Sequence, residues 1–308
     1  MKALELFAGA GGAALGLEAA GFEHAALVER DPDACATLRA ARLGPVVEAD
    51  VRDLDAIEAV AGRKIDLLWA SPPCQPFSTA GTGKGQQDDR DGWPWTVAAI
   101  DRFNPHTVVV ENVRGLLSHS YFEEVILQQM QDRYPCVGFW LLNAADFGVP
   151  QRRRRVFAWA SDRPLVPPRR THGAGMFCEP WVTMGSALGV EGYVMSAGAT
   201  GQGRPTPMTR AAPTISTKGN AYLLSPAPTI TTTEVKGTRG RHMRGGPDRG
   251  SDALWLATGR RRLTVEECAK LQGFPVGYPF QGAKYSRYRQ VGNAVPPKLA
   301  EVVARATM

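Results

Sequence analysis

Strand-length apolar runs with almost no polar interruption recur through the first half of the chain, and helix patterns stand between them. Ala3-Leu4-Glu5-Leu6-Phe7, Ala25-Ala26-Leu27-Val28-Glu29, Val46-Val47-Glu48, Ile65 to Ala70, Thr107 to Val110 and Val156 to Ala160 all read as strands. Between them lie an alanine- and leucine-rich segment ending at Gly21, a segment opened by Asp31-Pro32 and running to about Leu43, and helical patterns from Trp95 to Phe103 and from Tyr121 to Arg133. Asp31 is a natural N-cap and Pro32 a natural first helical residue. Strands this apolar must be covered on both faces, which calls for a parallel sheet between helical layers. The expected fold is α/β: a doubly wound, mostly parallel sheet.

From about Pro164 to Ala253 the pattern changes to Pro, Gly, Thr and Arg, which predicts a second, smaller and irregular domain. Within it Ala212-Pro213-Thr214-Ile215-Ser216-Thr217 recurs as Ala227-Pro228-Thr229-Ile230-Thr231-Thr232. Two copies cannot build a solenoid and are read as short strands or loops. Helical pattern returns after Arg262, where Thr264 and Glu267 form a capping box.

The 308 residues are 44% hydrophobic, enough for a full core, and no run approaches the roughly 18 apolar residues of a membrane span. No basic segment followed by an apolar one opens the chain, so a soluble cytoplasmic protein is expected. Cys35, Cys74, Cys136, Cys178 and Cys268 are scattered, without metal-ligand spacing, so neither a metal nor a disulfide framework is expected. Charge is segregated. Residues 1–100 carry 9 basic and 15 acidic side chains, and the remainder carries 27 and 15. That asymmetry fits a polyanion-binding face, and it equally fits a solvated arginine-rich surface.

Several chemistry-bearing residues fall just beyond strands, at the sheet edge where α/β proteins bind ligands. The first strand runs into Phe7-Ala8-Gly9-Ala10-Gly11-Gly12-Ala13-Ala14, a G-x-G-x-x-A loop, and Glu29 ends the next strand. The glycines allow close backbone approach, and the carboxylate can accept from both ribose hydroxyls, so NAD and S-adenosylmethionine both fit. Asp50, after the third strand, suits either an adenine amino group or a turn. Cys74 stands behind Pro72-Pro73 where the fourth apolar run stops, a reactive rather than a packed position, and Ser78 to Gly85 read as a lid. Glu111-Asn112-Val113 directly follows the strand Thr107 to Val110. No histidine falls at a comparable strand end to serve a cysteine hydrolase. A thiolate could instead add to C6 of a cytosine, provided that a protonated carboxyl group donates to N3. C5 would then accept a methyl group from a sulfonium donor.

With these residues in view the chain resembles the cytosine-C5 DNA methyltransferase family, over nearly its whole length apart from the middle segment. FAGAGG (Phe7 to Gly12), Glu29, Asp50, Pro73-Cys74-Gln75, ENV (Glu111 to Val113), Gln151-Arg152-Arg153-Arg154-Arg155, RRLTVEECAKLQGFP (Arg261 to Pro275) and QVGNAVPP (Gln290 to Pro297) match family motifs in order. The resemblance implies a Rossmann-like, S-adenosylmethionine-dependent fold. Catalytic roles fall to Cys74, Glu111, Asn112, Arg153 and Arg155. Phe7, Ala8, Gly9, Gly11, Gly12, Glu29, Asp50, Pro72 and Asn293 are assigned to the cofactor, and Gln75, Ser78, Arg90, Arg239, Arg241 and Arg244 to DNA. No metal is implied.

The resemblance further implies a catalytic, cofactor-binding domain of residues 1–170 completed by 286–308. Residues 171–260 would recognise the target sequence, and 261–285 would connect the two. Double-stranded DNA is the expected partner, with a monomeric state and action in the bacterial cytoplasm, or in host cytoplasm for a phage-encoded enzyme; the resemblance leaves open whether a cognate restriction endonuclease exists. Amino methyltransferases carry an aromatic residue where Cys74 follows the prolines, and a tRNA cytosine methyltransferase would carry a Cys-Phe-Thr motif absent here. A catalytically idle DNA-binding protein and an NAD oxidoreductase explain fewer of these residues.

Overall fold

The computed structural model of the chain describes residues 1–73, 91–191, 193–196, 205–213, 221–224 and 260–308. Seven strands form one sheet: β1 (Lys2–Leu6), β2 (Glu23–Glu29), β3 (Val46–Glu48), β4 (Leu67–Ala70), β5 (Thr107–Val113), β6 (Cys136–Asn143) and β7 (Arg154–Ser161). Their order is β3-β2-β1-β4-β5-β7-β6. The pairings among β1 to β5 are parallel, whereas β7 runs antiparallel to both β5 and β6. The order reverses direction between β1 and β4, and the crevice beyond their carboxyl ends is where such sheets bind ligands. FAGAGG follows β1 and the Ser71-Pro72-Pro73 run follows β4, so both stand at that crevice.

Helices α1 (Gly12–Ala20), α2 (Pro32–Ala41), α3 (Leu54–Ala61) and α4 (Trp93–Phe103) connect the strands. Asp31 caps α2 as its sequence requires: its carboxylate accepts from the N–H groups of Asp33 and Ala34. Residues 114–131 combine a short 3-10 turn, a π-helical turn and one α turn rather than a single regular helix. The strands send alternate side chains to the two sheet faces. Leu4, Leu6, Val28, Leu68 and Val110 pack with Ile57, Trp93, Ile100 and Phe103 on one face. On the other, Leu67, Trp69, Val109 and Phe157 pack with Leu17, Leu299 and Val303.

The sequence pattern does not predict β6. Its side chains are mostly half-buried, and Phe139 and Leu141 face outward, because β6 is an edge strand covered unevenly.

The α turn within residues 114–131 is α5 (Gln128–Gln131); the segment expected to be irregular contains, among its described residues, α6 (Met184–Leu188), β8 (Tyr193–Ser196), β9 (Pro205–Pro207) and β10 (Ala221–Leu224). With β11 (Arg260–Arg262) these strands make an antiparallel sheet in the order β11-β10-β8-β9. Of the repeated hexapeptide only Ala212 and Pro213 are described; the second copy lies outside the described residues. The N–H of Ala212 donates to Pro150 O, and the N–H of Arg152 donates to Ala212 O.

Three C-terminal helices follow, α7 (Val265–Gln272), α8 (Lys284–Asn293) and α9 (Pro297–Ala306); α7 and α8 share a core with Met184 and Met208, and α9 packs on the large sheet. The capping box of α7 forms as read, with Thr264 and Glu267 each accepting the other's N–H. Helix α9 lies against α1 at a separation only glycine permits. A methyl group on Gly16 would stand 2.5 Å from Pro297 O and 2.6 Å from Ala300 Cβ.

Candidate active site

The glycine loop from Phe7 to Gly12 has a distinctive backbone conformation. Phe7, Gly9 and Gly11 have φ of 58°, 54° and 83°. For a residue as bulky as Phe7 this is a strained geometry, of the kind that persists where surrounding structure enforces it. Here the N–H of Ala8 donates to Val28 O and that of Gly11 to Ala8 O. The N–H of Gly9 donates to Glu29 Oε2 at 2.8 Å, while Glu29 Oε1 accepts from the N–H groups of Arg30 and Asp31. The carboxylate is thereby locked at the end of β2. A side chain on Gly9 would meet nothing within 4 Å, so one surface of the loop is open to a ligand.

Asp50 is engaged in a different way. Its Oδ1 accepts from Arg52 Nε at 2.8 Å and from the Arg52 N–H, its Oδ2 accepts from Arg52 Nη2 at 3.0 Å, and Arg30 Nη1 lies 3.6 Å away. Arg52 holds the carboxyl below the usual carboxylate range. The guanidinium of Arg52 also lies 5.9 Å from the Trp95 ring centre, at cation–π range. The turn role left open for Asp50 is therefore present in the structure.

At the end of β5, Glu111 is buried and its pKa is raised, because burial disfavours the charged carboxylate. Arg155, one strand away on β7, opposes that shift with Nε at 3.0 Å from Glu111 Oε1. Arg153 sits deeper, almost fully buried, and donates from Nη2 to Asn293 O at 3.3 Å. Arg155 thus meets the carboxyl group, while Arg153, two residues earlier and just before β7, meets the last residue of α8. Asn293 is followed by Ala294 and Val295, which press on Gly12 at the start of α1.

Asn112 points the other way along the edge. Its Nδ2 donates to Pro72 O at 3.3 Å and its Oδ1 accepts from the Val113 N–H at 2.8 Å. Pro72 is buried between this amide and Gly92, where an added methyl would lie 2.8 Å from Pro72 Cβ and 2.7 Å from the Phe7 ring. The segment leading to Cys74 is therefore fixed up to Pro73. Cys74, Gln75, Ser78, Arg90, Arg239, Arg241 and Arg244 lie outside the described residues.

A family model described as C-5 cytosine-specific DNA methylase matches residues 1–172 and 191–308. The chain belongs to the C-5 cytosine-specific DNA methylase family. The methylase is 34% identical over 313 residues to the Type II methyltransferase M.NaeI of Lentzea aerocolonigenes, covering 99% of this chain and 74% of that protein. It is 35% identical over 331 residues to the Type II methyltransferase M.NgoMIV of Neisseria gonorrhoeae, covering 98% and 95%. In fold it is similar to a DNMT2 variant of Spodoptera frugiperda, with a TM-score of 0.70 at 18% identity over 99% of both chains. The reaction of the methylase is methyl transfer to C5 of cytosine in DNA, from the S-adenosylmethionine on which its family depends.

The residues of the loop suit that cofactor. The open face at Gly9 admits a ligand against the backbone, and a carboxylate at the end of β2 suits a ribose diol. Among the described residues no group of three or more His, Cys, Asp or Glu could hold a metal, and no helix is long and apolar enough to cross a membrane.

Sequence reasoning missed the residues by which the methylase holds its site from behind. Tyr278 donates to Ala10 O at 2.6 Å within the glycine loop, and its ring meets those of Phe274 and Phe280 in a tilted and edge-to-face cluster. Gln272 donates to Ala294 O at 2.5 Å. Thr37 of α2 donates to Gln290 Oε1 at 2.7 Å and accepts from the Gln281 N–H. The aromatic spacing of Gly273-Phe274-Pro275-Val276-Gly277-Tyr278-Pro279-Phe280 was the available signal for the first of these. The others depend on contacts between segments far apart in the chain.

Proposed function

We propose that the chain methylates a cytosine rotated out of a specific duplex sequence, through a covalent adduct between Cys74 and C6. The carrying observation is the pairing of Glu111, buried with its pKa raised, with Arg155 at 3.0 Å, at the edge where β4 delivers Pro72-Pro73, the residues that precede Cys74 in sequence. Unstacking the base costs a few kcal/mol, which contacts in the pocket and along the backbone must offset.

Each proposed residue has one task. The Cys74 thiolate adds to C6, and the electron pair of the C5–C6 bond moves toward C5. Glu111 as the neutral acid donates to N3 and stabilises the charge that addition places on the ring; Arg155 orients its carboxyl group. Asn112 fixes the Pro72 carbonyl, and with it the approach of the nucleophile. Bound S-adenosylmethionine supplies an electrophilic methyl group to C5, held by Phe7, Ala8, Gly9, Gly11, Gly12, Glu29, Pro72 and Asn293, with Asp50 available to the adenine once Arg52 yields an acceptor site. Loss of the C5 proton to a base then restores the double bond as the C6–S bond breaks and the thiolate leaves.

In this reading residues 1–170 with 286–308 form the catalytic unit, 171–260 recognise sequence, and 261–285 connect them. Gln75, Ser78, Arg90, Arg239, Arg241 and Arg244 contact the duplex. The Type II names of the relatives support a modification enzyme of a restriction-modification system, with a cognate endonuclease as partner; the reading is completed by a monomer that acts on cytoplasmic DNA.

Cytosine-conversion sequencing of unmethylated plasmid, after incubation with the protein and S-adenosylmethionine, tests the reaction. Protection at one recurring sequence is expected, and uniform conversion would overturn the reading. Replacing C5–H of the target by C5–F tests the adduct, because fluorine cannot leave as a cation. A stable protein–DNA species should then accumulate with the wild type and be absent with Cys74→Ala, which still binds DNA.

A further inference from the structure

The turn from Gly173 to Glu179 presents two large apolar side chains to solvent from a closely tethered backbone. Met176 is 91% exposed and Phe177 82% exposed. Beneath them the N–H groups of Thr171 and His172 both donate to Asp146 O at 2.9 Å, the Gly173 N–H donates to Glu179 O at 2.8 Å, and the Glu179 N–H donates to Thr171 O at 2.9 Å. Trp181 Nε1 donates to Asp146 Oδ1 at 3.0 Å, and the same oxygen accepts from Asn143 Nδ2. A fixed turn that exposes apolar surface has already lost the backbone freedom that binding would otherwise cost.

Its position in the fold selects the partner. Asp146 follows β6, and β6 runs parallel to β5, so the turn stands on the edge that carries Glu111. Two strand spacings separate β5 from β6, roughly 10 Å, a distance of a few base pairs along a duplex. The surroundings are basic. Arg169 and Arg170, both exposed, immediately precede the turn, whose one acidic residue is Glu179 at its end. Exposed Arg154 pairs in register with Asn143. Apolar side chains framed by arginines match a duplex, in which base edges and sugars lie between phosphates.

We propose that the Met176–Phe177 turn contacts DNA on the flank of the target cytosine, with the two apolar side chains against base or sugar edges and Arg169 and Arg170 on adjacent phosphates. The inference rests on the DNA methylation reading above.

The test measures equilibrium binding to a duplex that carries the protected sequence, across a salt series. Met176→Ser/Phe177→Ser should raise Kd about tenfold, the worth of one base-stacking contact, with the salt slope unchanged. Arg169→Gln/Arg170→Gln should instead reduce the magnitude of the slope by about 2, since each phosphate contact contributes roughly 0.9. Binding of the serine variant at wild-type affinity would overturn the proposal. A fall of several degrees in that variant's thermal midpoint without DNA would also overturn it, by showing that the side chains are covered by the chain itself. Wild-type protein that neither protects nor binds DNA would defeat the methylation reading, and this inference with it; wild-type protection with an unaffected serine variant defeats this inference alone.

Discussion

Arg155 Nε lies 3.0 Å from Glu111 Oε1 across the β5–β7 pairing, so a buried acid and its cation are held by facing strands. Burial raises the Glu111 pKa and Arg155 partly cancels that rise. Removing the cation should therefore raise the pKa further. If the neutral acid is the active form, Arg155→Gln lowers kcat through lost orientation but moves the alkaline fall of the kcat–pH profile to higher pH. The expected loss is about 10- to 100-fold at the optimum. An acid limb that moves to higher pH instead would show that the carboxylate, not the acid, is required.

Asn112 joins β5 to the segment before the nucleophile through one hydrogen bond to Pro72 O at 3.3 Å. Asn112→Ala should lower kcat by about 100-fold, because misplacement of an attacking group by about an ångström has that effect. Stability should fall by only about 1 kcal/mol, the net worth of one hydrogen bond. Steady-state kinetics and urea denaturation on the same preparation check both. A large loss of stability with unchanged kcat would assign Asn112 to the fold alone.

The features legible in the sequence are those fixed by short stretches. The α2 cap at Asp31, the capping box at Thr264 and Glu267, and the placement of FAGAGG just beyond a strand all follow from neighbouring residues, whereas ENV, read as following its strand, forms the last three residues of β5. Strand β6 was not legible, since an edge strand with half-buried side chains lacks both the continuous apolar run and strict alternation. The division of labour between Arg153 and Arg155 was equally hidden. Two arginines two positions apart share a strand face, and only the structure shows one meeting Asn293 O and the other Glu111. Asp50 illustrates the converse: its position was legible, but not the bidentate hold of Arg52, because exposed side chains choose partners in three dimensions.

Gly16 tests the attachment of the C-terminal helix. A methyl group there would stand 2.5 Å from Pro297 O and 2.6 Å from Ala300 Cβ, and neither the carbonyl nor the helix backbone can yield cheaply. Gly16→Ala should destabilise by about 1–3 kcal/mol despite the higher helix propensity of alanine, as overpacking does. Differential scanning calorimetry reads the lowered midpoint. Since α9 follows the Asn293–Val295 segment that packs on Gly12, affinity for S-adenosylhomocysteine measured by titration calorimetry should weaken as well. A midpoint equal to or above the wild type would mean that α1 and α9 are free to separate.

Glu5 lies at 1% exposure in β1, directly before the cofactor loop, and its Oε2 accepts no hydrogen bond. Burial raises its pKa well above the ordinary carboxylate value, and the nearby charge of Glu29 adds to the rise. The folded chain thus holds this proton more tightly than the unfolded chain. Its contribution to stability is fully present below the unfolded pKa of about 4.3 and is lost as pH rises through the folded value, by at most about 1.4 kcal/mol per pH unit. Glu5→Gln has no proton to lose there. Urea midpoints measured from pH 5 to pH 8 should therefore fall for the wild type relative to Glu5→Gln, with the gap widening as pH increases. Parallel curves would mean that the carboxyl group finds a partner that stabilises its charge, and that the segment beneath the glycine loop carries a buried anion rather than a neutral acid.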